Sequence, residues 1–408
     1  MSAPGNRSSI GLATVIWLVG ALIGLNYLRL GWTLDQNGLS VMTARLPYWD
    51  FTNLWGGGRL TLEGHVDYLF SPDVYRAALR SMLSPLMLDQ EWSYPPSMLL
   101  VGAPLALLPI LPAYLIWNVA TLGFLYLVAG WLGLKRWQSF AILLSPPVLL
   151  SVMFGQNGAL TASLLIGGLF LASSRPLLAG ILFGLLTLKP HLGILVPFCL
   201  LAAGNYRAIA SAALTTLAMV VATGSLFGLD VWAQFFNVTN PLMRTIMEAP
   251  YPQHYHMNAM TFFAMARSLG AGLTVSYSIQ ILVALVAIGL ATWLWRGKYI
   301  ADHRIKVAIT GLLALAATPY GYTYDAVPLA LAVAILAQYR LAPIPLLAMG
   351  WLYPGLNHLI TKDYFPMGAL VPAALALVAI RNLRLSRLSD HDPLIEERIK
   401  ASEAKPSR

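Results

Sequence analysis

Residues 10–30 read IGLATVIWLVGALIGLNYLRL, an apolar run of bilayer-spanning length, and directly behind it residues 31–94 form one long polar segment before hydrophobicity resumes. That alternation decides the fold. A run of about 20 apolar residues spans the hydrocarbon of a bilayer as a helix, whereas a cleaved leader has a shorter apolar core and a small-residue cleavage site. Only Arg7 precedes the run and no such site follows, so it reads as a retained span. The polar segment behind it carries Tyr48-Trp49-Asp50 near its start and Trp92-Ser93-Tyr94-Pro95-Pro96 at its end, placing a carboxylate and aromatic rings at a water-facing membrane edge.

Moving outward, further apolar runs follow nearly to the C-terminus. With 58% hydrophobic residues, 11% charged residues and a mean hydropathy of +0.67, 408 residues cannot form a water-soluble domain. The reading is an all-α polytopic membrane protein of about eleven or twelve transmembrane helices. A net charge of +9 does not point to nucleic acid, because the basic residues lie scattered in short loops and the tail, where they orient a membrane protein. Arg381, Arg384 and Arg387 put residues 386–408 in the cytoplasm as a tail, behind a single integral-membrane domain of residues 1–385. Counting back places residues 229–272 outside as a second large loop. Counting forward from a cytoplasmic N-terminus places residues 31–94 outside, and their 7 acidic against 4 basic residues fit that side. The counts agree if Ser97 to Ile110 is a re-entrant or interfacial helix and residues 177–201 form a hairpin broken at Lys189-Pro190-His191, where proline removes a helical hydrogen bond. The expected location is the inner (plasma) membrane. Cys199, the only cysteine, excludes an internal disulfide.

Ionisable residues at membrane depth are costly and therefore informative. Asp50, flanked by aromatics and followed by Asn53, reads either as the N-cap of a helix over Phe51 to Leu62 or as a base whose proton affinity is raised by its apolar setting. Lys189, with His191 beside it, needs an anion: a lipid phosphate, or a protein carboxylate such as Asp325. Tyr320, Tyr322, Tyr324 and Asp325 read as a sugar-stacking surface or as part of an aromatic belt, with His254 and His256 in the outer loop beside them. Two histidines at i, i+2 do not share a helical face, so no metal site is expected. Gly56-Gly57-Gly58 is not followed by Gly-Lys-Ser/Thr and no Gly-x-Gly-x-x-Gly opens a βαβ unit, so no nucleotide cofactor is expected either.

The order of these elements resembles glycosyltransferase family 87, polyprenol-phosphate-mannose-dependent α-mannosyltransferases of the GT-C fold. The matching pieces run from Asp50 to Asp325. They are Asp50 with Trp55, Leu60, Gly64 and Tyr68; Tyr94-Pro95-Pro96 with Pro104-Leu105 and Pro109; Ala113-Tyr114 with Trp117; Gly155-Gln156-Asn157; Leu188-Lys189-Pro190-His191; and Thr318-Pro319-Tyr320 with Tyr324-Asp325. The resemblance implies a GT-C-type bundle with a large first extracytoplasmic loop whose acidic residue, here Asp50, is the catalytic carboxylate. It implies inverting transfer of a hexose, mannose first, from a polyprenyl-phosphate sugar to a glycolipid or glycan hydroxyl. Lys189 and His191 are the expected donor-phosphate ligands. Asn53, Trp92, Tyr94, Gln156, Asn157, His254, His256, Tyr324 and Asp325 are the expected substrate contacts. Two other readings stand beside it. A polymer ligase using a lipid diphosphate would use Arg45, Arg59, Arg244 and Arg267, and a transporter would show paired broken helices in a repeat, which is not seen.

Overall fold

A computed structural model describes residues 5–297, 302–361 and 367–390. Among these the chain is helical, with two isolated β-bridges, Leu34 to Ser40 and Ala259 to Tyr322. Residues 391–408, most of the tail, lie outside the described residues.

The first span is α1 (Gly5–Gly31). The polar segment then folds as α2 (Trp49–Leu62) and α3 (Pro72–Met82), and α4 (Leu99–Leu105) follows behind the Pro95-Pro96 corner. With its leading turn α4 covers Pro96–Leu105, a rise of about 15 Å against a hydrocarbon layer of about 30 Å. By length alone it falls short of a full crossing. Next come α5 (Ile110–Trp131), then α6 (Arg136–Leu143) and α7 (Pro146–Phe154), bent by 48° at the break before Pro146-Pro147. The bundle continues through α8 (Gly158–Leu171), α9 (Pro176–Leu185) and α10 (Val196–Ala202). Between α9 and α10 the helix gives way to two 3-10 turns, Leu186–Leu188 and Pro190–Gly193, so the expected break at Lys189-Pro190 is present.

After α11 (Tyr206–Phe227), the second polar segment contains α12 (Asp230–Gln234), a π-turn over Phe235–Thr239, α13 (Asn240–Glu248) and α14 (Phe262–Ser268). The chain ends in α15 (Leu273–Arg296), α16 (His303–Ala317), α17 (Val327–Gln338), α18 (Ile344–Thr361) and α19 (Leu370–Asp390).

Five of these helices are long and apolar enough to cross a membrane, or six if α6 and α7 are one bent span. The sequence count of eleven or twelve passes also takes in shorter apolar helices, α8 and α17 among them, that fall below that length. These shorter helices form the centre. Every residue of α17 from Val327 to Leu336 is buried, and α8 and α16 are nearly as enclosed. Long helices surround them, and side chains such as Leu18 and Leu22 of α1 and Leu282 and Leu285 of α15 point outward. Outward leucines in rows are the expected surface when the solvent is lipid.

The first polar segment has a core of its own. Phe51, Tyr75, Leu79, Trp92, Met98 and Leu99 are buried together and continue into Tyr114 and Trp117 of α5. Each such side chain contributes roughly 1.5–3 kcal/mol by leaving water, so this loop is a packed platform over the bundle.

Candidate active site

The site is organised by the turn Gly155-Gln156-Asn157-Gly158 between α7 and α8. Gly155 closes α7 in the left-handed region, at φ 69°, and a Cβ there would lie 2.5 Å from Phe51 Cβ. A Cβ on Gly158 would lie 1.9 Å from the carbonyl oxygen of Tyr324. The two glycines thus let one turn sit between α2 and the Thr318–Asp325 segment, joining regions far apart in sequence. From that turn Gln156 donates a hydrogen bond to the Asp50 carboxylate. Asn157 Oδ1 accepts from Lys189 Nζ at 3.2 Å. Lys189, at the α9–α10 break, forms a buried ion pair with Asp325, Nζ to Oδ1 2.5 Å, and lies 5.3 Å over the Tyr324 ring. The other Asp325 oxygen accepts the Tyr322 backbone N–H at 3.1 Å. Of the two anions the sequence offered Lys189, the protein supplies the carboxylate.

Asp50 is not an N-cap. Helix α2 begins at Trp49, its N-cap is Tyr48, and Asp50 lies in the first turn. The start moves back because Trp49 is buried and its carbonyl is held by Gln90 Nε2 at 2.9 Å and Thr52 Oγ1 at 2.6 Å. The carboxylate is therefore free of capping duty. Asp50 is half-buried. Burial pushes its pKa up to about 6; the Gln156 hydrogen bond and the charges of Arg45 and Lys189 restrain the rise, and Asp325 adds to it.

In front of this cluster lies a cavity of about 620 Å³, within the range of small-ligand sites. One side is polar: Tyr94, Gln156, Lys189, His191, Tyr320 and Tyr324. The helix that includes α13 contributes Phe235, Asn240, Met243, Arg244 and Met247 to the lining. Arg244 Nε is held by Glu248 at 2.8 Å, and Glu248 accepts from Tyr277 Oη at 2.7 Å. Asp50 adjoins the cavity through Gln156. Two buried polar atoms here, Nε2 of the lining His191 and Nδ2 of Asn157 beside the lining Gln156, have no protein partner.

A family profile described as glycosyltransferase family 87 matches residues 92–319, more than half of the chain. The chain belongs to glycosyltransferase family 87. No curated protein and no solved structure matches it. Membership makes it a membrane glycosyltransferase. The matched stretch includes Gln156, Asn157, Lys189 and His191, whereas Asp50, Tyr324 and Asp325 fall outside it and are joined to the family 87 region by geometry.

Within this glycosyltransferase, Tyr94, Gln156, Lys189, His191 and Tyr324 line the cavity, and Asp50, Asn157 and Asp325 connect to it through hydrogen bonds. Four expected contacts are not brought there. Trp92 is 1% exposed, inside the platform core. His254 is exposed elsewhere. His256 stacks on Tyr251 at 5.0 Å, accepts the Gln253 N–H on Nδ1 and borders a small neighbouring cavity. Burial, then the charge of Arg267, lowers its pKa to about 4, so it stays neutral. Asn53 spends its amide internally, donating to Glu91 O at 2.8 Å and Ser93 Oγ at 3.1 Å and accepting from Tyr75 Oη at 2.6 Å. Asn53→Ala is expected to destabilise by about 1–3 kcal/mol, the cost of orphaning buried partners. A lowered thermal midpoint with unchanged donor KM is the expected result, and a raised KM at wild-type stability would restore Asn53 to the substrate contacts.

The α13 wall was missed. Phe235, Met243 and Met247 share a helical face, spaced by multiples of four. That signal was available inside residues read only as a polar loop.

Proposed function

We propose that the enzyme transfers a hexose, mannose first, from a polyprenyl-phosphate sugar to a hydroxyl of a glycolipid or polysaccharide on the extracytoplasmic side of the plasma membrane, with inversion. The observation that carries this reading is the pairing of Asp50, a carboxyl with its pKa near 6, with a cavity whose lining combines Lys189 and the unpartnered His191 Nε2 with Phe235, Met243 and Met247. Asp50 takes the acceptor proton as that oxygen attacks the anomeric carbon, and the bond to the phosphate oxygen breaks with its electron pair leaving on the phosphate. A phosphate monoester dianion departs without an acid. Lys189 and His191, beside Asn157, would meet the growing negative charge, a task of position more than of proton transfer. The apolar wall suits the first isoprenoid units, while Tyr94 and Tyr324 offer ring faces to the sugar.

Both termini then lie in the cytoplasm. The test is purified protein given radiolabelled polyprenyl-phosphate mannose, the matching lipid-diphosphate sugar, and a membrane glycolipid extract. Transfer from the monophosphate alone is expected. Transfer from the diphosphate alone would replace this reading with that of a polymer ligase.

A further inference from the structure

At the end of the bundle remote from the active-site cavity, α9 and α11 lie side by side and run in the same direction. Asn205 Nδ2 donates to Ala172 O at 2.6 Å and Ser211 Oγ to Leu177 O at 2.8 Å. Further along, a Cβ on Gly184 would lie 2.4 Å from Thr215 Cβ, so the helices nearly touch. Beside this seam they leave an open trough. Its first part, about 560 Å³, lies among Arg175, Leu177, Leu178 and Arg207. A second part of about 420 Å³ shares Leu177 and Arg207 and continues over Leu214 and Ala218. The trough has a cationic head and an apolar tail.

Arg175 immediately precedes α9 and Arg207 is the second residue of α11; both are exposed. Among the described residues, neither guanidinium has an ion-pair or hydrogen-bond partner. A cation at the start of a helix faces the positive end of the helix dipole, so two of them sharing one cavity call for an anion. Tyr206, 69% exposed beside Arg207, is the amphipathic ring expected at headgroup depth. Leu214, Leu217 and Val221, exposed along α11, mark the rest of the face as acyl-chain territory.

We propose that this trough is a binding site for an anionic phospholipid of the bilayer, its phosphate between Arg175 and Arg207 and one acyl chain over Leu177, Leu214 and Ala218. The site is distinct from the donor cavity, which takes Leu188 and Lys189 from beyond the opposite end of α9. A lipid seated here braces the helix that leads to Lys189.

The test uses the full chain in uncharged detergent, titrated with dioleoylphosphatidylglycerol or dioleoylphosphatidylcholine, with bound lipid counted by native mass spectrometry. The wild type is expected to bind the glycerol lipid about twenty-five-fold more tightly, two arginines each giving roughly a factor of five. R175Q/R207Q removes that preference. Leu214→Trp, which fills the tail and leaves both charges, lowers retention of both lipids. Equal affinity of the wild type for the two lipids overturns the proposal, as does a folded double variant that keeps the preference. If circular dichroism shows that the double variant does not fold, Leu214→Trp decides: undiminished retention there overturns it.

Discussion

Asp50→Asn lowers the rate of sugar transfer by about 10²–10⁴-fold, the usual contribution of a positioned general base, and leaves donor binding near wild type. Asparagine keeps the shape and can still pair with Gln156, so the variant removes proton acceptance and little else. The same group sets the acid limb of the pH profile. With its pKa near 6, Asp50 is mostly ionised at pH 7 and mostly protonated at pH 5, and kcat/KM falls as pH drops through about 6, where an ordinary carboxylate would hold activity to about 4. The stability sign is opposite to the catalytic one. A carboxyl whose pKa is raised by folding favours the folded state below its unfolded pKa, and that contribution is lost as pH rises through the folded pKa. At pH 7 the ionised Asp50 is therefore a burden on the fold, and Asp50→Asn is expected to melt at or above the wild-type temperature. Catalysis retained in the variant, or an acid limb near pH 4 in the wild type, removes Asp50 from the role of base.

The parts of the fold that could be read from sequence were those set by local composition. Apolar runs gave an all-helical membrane bundle, and Pro190 gave the break at which Lys189 sits, because a proline acts on its own turn. What could not be read was set by residues far apart. Asp325 was one of two partners open to Lys189, and it lies 136 residues away. Asn53 was expected among the substrate contacts, and the partners that occupy its amide, Tyr75, Glu91 and Ser93, come from other elements of the platform. Trp92 looked like a sugar-stacking ring, yet the large aromatics of an outer segment also build that segment's core, and the packing of α2 on α4 assigned it there. The start of α2 shifted by two residues for the same kind of reason, since Gln90 reaches back to hold Trp49 O. One turn with two glycines did signal its importance. Only the structure showed what it passes between, Phe51 and Tyr324.

Lys189 and Asp325 carry the second large effect, and variants of the pair separate folding from catalysis. Lys189→Met leaves Asp325, 1% exposed, with the Tyr322 N–H and no countercharge. An uncompensated buried charge costs about 3–5 kcal/mol, a large share of a net stability of about 5–15 kcal/mol, so a sharply lowered thermal midpoint and poor yield in detergent are expected. Asp325→Asn costs less, because Lys189 lines the cavity, where water can reach its vicinity, and keeps Asn157 as an acceptor. The double variant Lys189→Met/Asp325→Leu removes both charges together, and apolar replacement of a buried pair is often nearly neutral. It is expected to recover most of the wild-type melting temperature. Transfer does not recover with it, because the cation facing the departing phosphate is gone, and loss of one such electrostatic contact costs about 10²–10³-fold in kcat. A double variant with wild-type turnover would reduce Lys189 to a structural residue. Single variants as stable as the wild type would show that the ion pair does not hold the α9–α10 break to Asp325, and the arrangement of the polar side of the cavity would then need another cause.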